Sequence, residues 1–295
     1  MNFLIVGLKN GSQIIRLQEE AQKLGHFVTG CMTSDLVIRS ESGKFGAYIG
    51  DKSLTEFDLI YLCAGIESGG RFEWYVAVDY LKQNSKTKIV NEVVVDPLKK
   101  YYPLQTWFYL KQFEGDIPQP VTFSVFNAKA VENISKEIGF PLIVKISETH
   151  QGSGVFLANS IAEIKEIMFK NGDKTYLIRK FIANDGDVRI FVIGGTALGA
   201  MKRIPPGGEF RSNISVGGIG ESFDLESNPK IKALAEKVAS VSGIEIAGVD
   251  IIIDKTSGEP YVLEVNVGPQ FNGFEKYTKT NVAAKIVDYF ISKCK

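Results

Sequence analysis

Residues 247–266, AGVDIIIDKTSGEPYVLEVN, predict a β-hairpin. Two apolar runs flank residues 254–258, which are rich in turn formers. Because side chains of a strand alternate between its two faces, Asp250 falls on one face of the first strand and Glu264 on one face of the second. If the hairpin is centred on Ser257, Asp250 lies directly opposite Glu264.

Directly opposed side chains have Cβ atoms about 4.5–5.5 Å apart, and like charges at that distance repel each other. Alternation along the second strand places Val262 and Asn266 on the same face as Glu264, with Asn266 diagonally opposite Asp250. Two carboxylates and an amide oxygen are hard ligands of the kind that hold Mg²⁺ together with substrate phosphates. The alternative is that the carboxylates lie on a solvated face of the sheet, where water screens their repulsion.

The composition is that of an ordinary globular protein, long enough for two domains: 295 residues, 44% hydrophobic and 23% charged. Basic and acidic residues balance at 34 each, so no net field would recruit nucleic acid or an anionic membrane. No apolar run is long enough for a transmembrane helix, and residues 1–11 are expected to form a strand rather than a signal peptide. Three widely spaced cysteines indicate a reducing compartment, hence a cytoplasmic protein, and a count of only two histidines argues against a His-based catalytic or metal site.

Residues 1–95 alternate strand and helix patterns, which predicts a small open sheet covered by helices. Gly7 and Gly11 do not have the spacing of a dinucleotide-binding fingerprint, so this region is interpreted as a packing domain that forms one wall of a cleft; an independent nucleotide site is the alternative. Asp96-Pro97 marks the junction to a second domain, residues 96–295.

Positive charges interrupt apolar strands in the second domain. Lys145 lies in the strand-like stretch 140–147 and is followed by a glycine-containing loop, residues 151–154, whose backbone amides would suit a phosphate. A lysine that reaches water from an edge strand, followed by an ordinary turn, is the alternative. Arg189, Arg203 and Arg211 would each be unremarkable on a surface, but together they indicate a cleft that binds anions. The glycines at 217–220 are interpreted as a mobile crossover.

The ordered set of Lys145, QGSG at 151–154, DVR at 187–189, FRSN at 210–213, AGVD at 247–250 and EVN at 264–266 resembles ATP-grasp carboxylate–amine ligases of the RimK-like branch. The resemblance implies an α/β (α+β) protein with an ATP-grasp fold. Its parts would be a small N-terminal open α/β (pre-ATP-grasp) domain over residues 1–95, a lid subdomain over about 120–183 and a C-terminal mixed-sheet subdomain over about 184–295.

The resemblance also implies roles for individual residues. Lys145 and the glycine loop would contact the ATP phosphates, backbone groups at the hinge would bind adenine, and Asp187 would lie near the ribose. The implied ATP-binding set is Lys100, Lys145, Gln151, Gly152, Ser153, Gly154, Lys180, Phe181, Asp187, Arg211, Ser212 and Asn213. The implied metal ligands are Asp250, Glu264 and Asn266, and the implied catalytic residues are Arg189, Arg203 and Arg211.

Three positions depart from the family pattern. The helix that opens the ATP-grasp domain has Pro103 where a lysine is common, so Lys99 or Lys100 would have to replace it. Lys180 stands where the hinge usually carries a glutamate. Residues 267–271, VGPQF, differ from the usual small-residue segment beside the amino-substrate pocket, so substrate specificity is expected to differ from that of the glutamate ligases.

The implied activity is ATP-dependent formation of an amide bond between a carboxylate and an amine, with an amino acid as the amine substrate, through an acyl phosphate. The implied cofactors are ATP and Mg²⁺ or Mn²⁺, with two metal ions. The carboxylate partner would be a small molecule, a peptide or a protein, no nucleic acid or membrane is expected, and a homo-oligomer is compatible with the sequence. Phosphoryl transfer depends on positioning and positive charge, which this chain can supply without a covalent nucleophile. The alternative is a non-catalytic ATP-binding regulatory module.

Overall fold

The computed structural model describes residues 1–63, 70–96, 113–146, 154–207 and 218–295. Strands in these ranges form four sheets, and buried apolar side chains form three clusters. No helix in the described ranges is both long and apolar enough to cross a bilayer.

The N-terminal region contains a parallel sheet of four strands in the order β2-β1-β6-β7 and a small antiparallel sheet in the order β3-β4-β5. The parallel sheet confirms the open sheet predicted from the strand–helix alternation, whereas β3 and β5 were not predicted. The elements are β1 Asn2–Val6, α1 Ser12–Lys23, β2 Phe27–Cys31, β3 Leu36–Glu41, β4 Lys44–Ile49, β5 Lys52–Ser53, β6 Leu59–Leu62, α2 Arg71–Asn84 and β7 Lys88–Val90.

The next region folds into a four-stranded antiparallel sheet in the order β10-β9-β11-β8, called the lid sheet below. Apolar residues that include Val144, Ile164 and Ile178 form a cluster of their own in this region. All of these strands fall within the predicted lid subdomain. The elements are β8 Thr122–Val125, α3 Val131–Ile138, β9 Leu142–Ile146, β10 Val155–Ala158, α4 Ile161–Asn171 and β11 Tyr176–Lys180.

The C-terminal region carries a five-stranded sheet in the order β14-β13-β12-β15-β16, called the floor sheet below. A mixed sheet was expected, but all four of its described pairings are antiparallel. Two of these pairings, β12 with β13 and β15 with β16, are antiparallel because a hairpin joins the two strands. The elements are β12 Asp187–Ile193, β13 Thr196–Ile204, β14 Ile219–Phe223, α5 Pro229–Ser242, β15 Ile246–Ile253, β16 Pro260–Asn266, α6 Asn272–Thr278 and α7 Val282–Cys294.

The interpretation of the 217–220 glycines as a mobile crossover is wrong for Gly220, which lies within β14 and pairs with Arg203 of β13. The ring of Tyr277 packs so closely that a Cβ built on Gly220 would stand 2.4 Å from it. Glycine is therefore required here for close packing of a side chain on the strand, and not for mobility.

The N-terminal parallel sheet and the floor sheet share two of the three apolar clusters. One cluster joins Leu4 and Ile60 to Val249, and the other joins Phe3 to Phe290 on α7. Helix α1 packs against α7 at the same junction. The first and last parts of the described chain thus share two apolar clusters, whereas the lid sheet has a cluster of its own.

Candidate active site

The hairpin predicted from residues 247–266 forms, and its register is confirmed. Asp250 of β15 pairs with Glu264 of β16, and Gly248 pairs with Asn266. The register shifts after Asp250, so that Ile251 pairs with Val262 and one extra residue of β16 bulges. The bulge turns Val262 into the core beside Ile251, so the prediction that it shares a face with Glu264 is wrong.

Two arginines from neighbouring strands enclose the Asp250 carboxylate, which is almost fully buried. Arg189 of β12 donates from Nε to Oδ1 at 2.7 Å and from Nη2 to Oδ2 at 2.6 Å. Arg203 of β13 donates to Oδ2 of Asp250 at 2.8 Å and also to Oδ2 of Asp187. Burial would lower the pKa of Arg203, but the charges of Asp250 and Asp187 outweigh that effect and raise it, so the guanidinium stays charged.

The lid sheet contributes a third cation to the same place. Lys145 projects from β9, and its Nζ lies 2.8 Å from Oε2 of Glu264. The charge of Lys145 outweighs the cost of burial and holds the pKa of Glu264 well below its usual range. The described part of this cluster contains three cations and three carboxylates, so its charges balance.

The donor set fits a divalent cation that shares its coordination with phosphates. Asp250 and Glu264 face each other across the hairpin, and the side-chain amide of Asn266 lies beside them, with Nδ2 at 3.5 Å from Oε1 of Glu264 and 3.3 Å from the Gly248 carbonyl. A cation would favour the opposite amide orientation, in which Oδ1 faces Glu264. Among the described residues, no three His, Cys, Asp or Glu side chains group closely enough to hold a metal by themselves. Two carboxylates and an amide leave positions for phosphate and water, which is the usual arrangement for Mg²⁺.

The family model for a RimK-like ATP-grasp domain matches residues 110–290. The chain belongs to the RimK-like ATP-grasp family. A probable alpha-L-glutamate ligase 2 of Hahella chejuensis is 38% identical over 180 residues, which are 59% of this chain and 58% of that protein. A probable alpha-L-glutamate ligase of Rhodopirellula baltica is 31% identical over 282 residues, 93% of this chain and 66% of that protein. In both cases the aligned region spans less than two thirds of the relative's length.

The fold agrees with the family assignment. The structure of the ATP-grasp ligase PsnB complexed with minimal precursor, Mg and ADP has a TM-score of 0.71 to this chain, with 14% sequence identity, and the comparison covers 99% of this chain and 98% of that chain. This match supports the predicted ATP-grasp architecture of the whole chain, including the N-terminal region that the family model does not cover.

Lys180 and Phe181, which the resemblance implies at the adenine-binding hinge, lie at the end of β11 and directly after it. The backbone N–H of Lys180 donates to the Val121 carbonyl at 2.9 Å, and that of Phe181 donates to the Pro141 carbonyl at 3.3 Å. The side chain of Lys180 is exposed. Asp187 is buried against Arg203. Their roles at adenine and ribose stay predictions.

Gly154, the last residue of the predicted glycine loop, is buried, and its carbonyl accepts a hydrogen bond of 2.9 Å from the Ile146 N–H. This bond joins β9 to β10 at the end where Lys145 lies. The remaining predicted site residues lie outside the described residues, and their roles stay predictions: Lys99, Lys100, Gln151, Gly152, Ser153, Arg211, Ser212 and Asn213.

Sequence reasoning did not identify Arg179 of β11, which makes a second lid-to-floor contact. Its Nε donates to Oγ1 of Thr122 at 3.0 Å and its Nη1 donates to the Leu263 carbonyl at 3.3 Å, at the bulge next to Glu264. The signal that could have identified it is the YLIRK sequence of β11, in which one arginine interrupts an apolar strand, as Lys145 and Arg189 do in theirs.

Asn91 was also not identified, although it joins the N-terminal region to the floor sheet. It is fully buried, and its amide donates to the carbonyls of Ile246 and Val267 at 3.0 Å each. Its Oδ1 accepts from the N–H groups of Glu245 and Ile246 at 2.8 and 3.0 Å. All four hydrogen-bonding positions of this side chain are thus used to hold the strand β15 and the segment that follows Asn266.

Proposed function

We propose that this protein is an ATP-dependent ligase that joins a carboxylate to the amine of an amino acid through an acyl phosphate and releases ADP and phosphate. The observation that carries the proposal is the pair of opposed carboxylates, Asp250 and Glu264, with Lys145, Arg189 and Arg203 in direct contact with them. Family membership and the probable ligase activity of the relatives support the same conclusion.

In this proposal the cations and carboxylates of the cluster exchange partners when substrates bind. Asp250, Glu264 and Asn266 would hold Mg²⁺, which would neutralise phosphate charge and orient the phosphates of ATP. Lys145 would leave Glu264 for the phosphates, to which it offers a compact ammonium with three donors. Arg189, which is bidentate on Asp250, would offer its remaining N–H groups to the transferring group or the acyl phosphate.

Arg203 is proposed to be a positioning residue, which holds the Asp250 carboxylate in place. It contacts both Asp187 and Asp250 and is itself buried, so it fixes the carboxylate of the floor sheet while that carboxylate binds a cation. Lys145 and Arg179 both reach from the lid sheet to β16, and these contacts support a lid that would lie over the reacting groups. A covered site would protect the acyl phosphate from water, the competing nucleophile.

The substrates are proposed only by class. One is a small-molecule, peptide or protein carboxylate, and the other is an amino acid. The solved structure of PsnB contains a minimal precursor together with Mg and ADP, which supports a peptide-sized carboxylate partner, ATP and Mg²⁺ here. The number of metal ions, two in the sequence-based prediction, is part of the same proposal.

The proposal is tested with purified protein, ATP, Mg²⁺ and pools of amino acids and short peptides. ADP release that depends on the pool, with a product heavier than the carboxylate by the amine minus water, supports the ligase. If nucleotide binds but no pool releases ADP, the chain is a nucleotide-binding regulatory module and the proposal fails.

A matched pair of lysine variants tests the role assigned to Lys145. Lys145→Met removes the cation that contacts Glu264, whereas Lys165→Met removes an exposed lysine of α4 that pairs with Glu132 on the same subdomain. We expect ADP release to fall by at least 100-fold in the first variant and to stay within twofold in the second. Equal activity of the two variants would contradict a phosphate-binding role for Lys145.

A further inference from the structure

A cavity of about 230 Å³ lies between the N-terminal parallel sheet and the segment 267–271. Its lining includes Gly7 and Cys63, the residues that directly follow β1 and β6. These two strands are neighbours, but β2 lies on the outer side of β1 and β7 on the outer side of β6, so the chain reverses its winding direction between them. The crevice beyond the carboxyl ends of parallel strands at such a reversal is the usual ligand position in open α/β sheets.

The cavity adjoins the candidate metal site. Gly268, which lines it, is two residues after Asn266, so the two Cα atoms are at most about 7 Å apart. Gly268 packs so tightly on the N-terminal region that a Cβ would stand 1.7 Å from the Cys63 carbonyl oxygen. The Tyr61 hydroxyl donates to the Val267 carbonyl at 3.1 Å. These contacts fix the wall of the cavity relative to the carboxylates of the floor sheet.

The lining that the structure describes is uncharged. Its apolar part includes Leu8, Leu17, Phe271 and Ile286, and its polar side chains are amides, a phenol and a thiol. Burial raises the pKa of the Cys63 thiol to about 12 and raises that of the Tyr61 phenol well above its usual value, so both stay neutral at physiological pH. An ionised carboxylate would find no cation in this lining, and burying it unpaired would be costly.

The volume selects the size of the ligand. An apolar cavity of about 150 Å³ is large enough for benzene, whereas pockets for drug-sized molecules begin near 300 Å³. A cavity of about 230 Å³ therefore holds one side chain up to the size of phenylalanine, and excludes a nucleotide.

From these observations we propose that the cavity binds the side chain of the amino-acid substrate and selects amino acids with uncharged side chains. This inference rests on the ligase function proposed above and makes the substrate class specific. It separates this chain from its relatives named glutamate ligases, because a glutamate side chain would place a carboxylate against the uncharged wall.

The test is binding of free amino acids to the full-length protein with ADP and Mg²⁺ present, measured by isothermal titration calorimetry. We expect L-leucine, L-methionine or L-phenylalanine to bind at least tenfold more tightly than L-glutamate. Gln13, on α1, lines the cavity and donates to the Pro269 carbonyl at 3.3 Å, so Gln13→Arg places a cation in the wall and should reduce or reverse this preference. Gln22→Arg, on an exposed turn of the same helix, is the matched control and should leave the preference unchanged.

Mass spectrometry of cysteine labelling locates the binding site. A maleimide at pH 8.5 should label Cys63 more slowly when the amino acid is bound. Cys294, which does not line the cavity and contacts the Asp58 carbonyl at the opposite end of β6 from Cys63, is the internal control. Glutamate binding as tight as leucine, no binding by any member of the panel, or no protection of Cys63 would each overturn the inference. ADP release with glutamate as the best amine would overturn it while the ligase function stands. Binding with protection but no ADP release under any condition would refute the ligase and leave the cavity assignment intact.

Discussion

Replacing each of the two opposed carboxylates by its amide is expected to have unequal effects on stability. The Asp250 side chain is 3% exposed and accepts three hydrogen bonds from Arg189 and Arg203. The Glu264 side chain is 36% exposed and pairs with Lys145 from the lid sheet. Asp250→Asn leaves the buried Arg203 and the partly buried Arg189 short of negative charge, whereas Glu264→Gln changes a more exposed carboxylate that pairs with one cation.

The expected size of the difference follows from burial. Removing one partner of a buried ion pair costs about 3–5 kcal/mol, whereas removing an accessible pair costs about 0–1 kcal/mol. Asp187 still pairs with Arg203 in the variant, so the lower end applies to Asp250→Asn and the difference between the two variants is about 2–3 kcal/mol. At roughly 2–4 °C per kcal/mol, this difference corresponds to about 4–12 °C in Tm.

The assay is urea and thermal unfolding of both variants and the unsubstituted protein, with calorimetric Mg²⁺ titration in the presence of ADP as the functional measurement. We expect both variants to lose Mg²⁺-dependent ADP release, and only Asp250→Asn to lose substantial stability. If the two Tm values agree within about 2 °C, the arginine contacts do not stabilise Asp250 in the way argued from burial. If either variant keeps full turnover, that residue is not a metal ligand.

Three further predictions concern residues outside the cluster. Glu20→Gln should lower Tm at pH 7, and this effect should disappear as the pH falls from 4.5 to 2. A hydrogen bond from Lys23 is the largest cause that lowers the pKa of Glu20 from 4.5 to about 2. The charged carboxylate therefore stabilises the fold above pH 4.5, and this stabilisation is lost as the carboxylate is protonated. Asn91→Ala should lower the free energy of unfolding by about 3 kcal/mol or more, measured by urea denaturation, because buried backbone groups lose their partners. Gly220→Ala should cost about 1–3 kcal/mol through overlap with the Tyr277 ring, and Tyr277→Leu in the same chain should recover part of that cost.

Each of these predictions has a control and a contrary outcome. Asn84→Ala is the control for Asn91→Ala, because Asn84 is exposed and its amide donates to the Tyr80 carbonyl of the same helix. Similar losses of stability in both variants would contradict the role of the buried Asn91 in joining the N-terminal region to the floor sheet. An effect of Glu20→Gln that does not change between pH 7 and pH 2 would contradict ionic stabilisation. Additive effects of Gly220→Ala and Tyr277→Leu would show that the two residues do not compete for space.

The pairing of Asp250 with Glu264 was predictable because strand alternation and a five-residue turn together fix a register. The bulge was not, because Val262 and Leu263 are both apolar and an extra residue leaves no mark in such a run. Arg189 and Arg203 were predicted as cations of an anion site, but their bonds to Asp250 and Asp187 depend on the register between β12, β13 and β15. Long crossovers set that register between β12 and β15, and sequence spacing does not reveal it.

The small sheet β3-β4-β5 was only partly predicted for a related reason. Strand β3 reads LVIRSE and is mostly exposed, so it has little hydrophobic alternation, and β5 has two residues. The contact from Lys145 to Glu264 joins residues 119 positions apart on two different sheets. Sequence patterns indicated that both residues belong to a phosphate–metal site, but only the packing of the lid sheet over the floor sheet places one against the other.

The two apolar clusters that the parallel sheet and the floor sheet share limit how this protein can diversify. Residues such as Leu4 and Ile60 pack in the same cluster as Val249, one position before the Asp250 carboxylate. A chimera that takes residues 1–95 from a relative would therefore need matching substitutions in β15, whereas the lid region, with its separate core, can be exchanged as a cassette. The proposed substrate cavity and the strands that carry the carboxylates are therefore coupled through shared packing, so single substitutions around the cavity should disturb the carboxylates less than an exchange of residues 1–95.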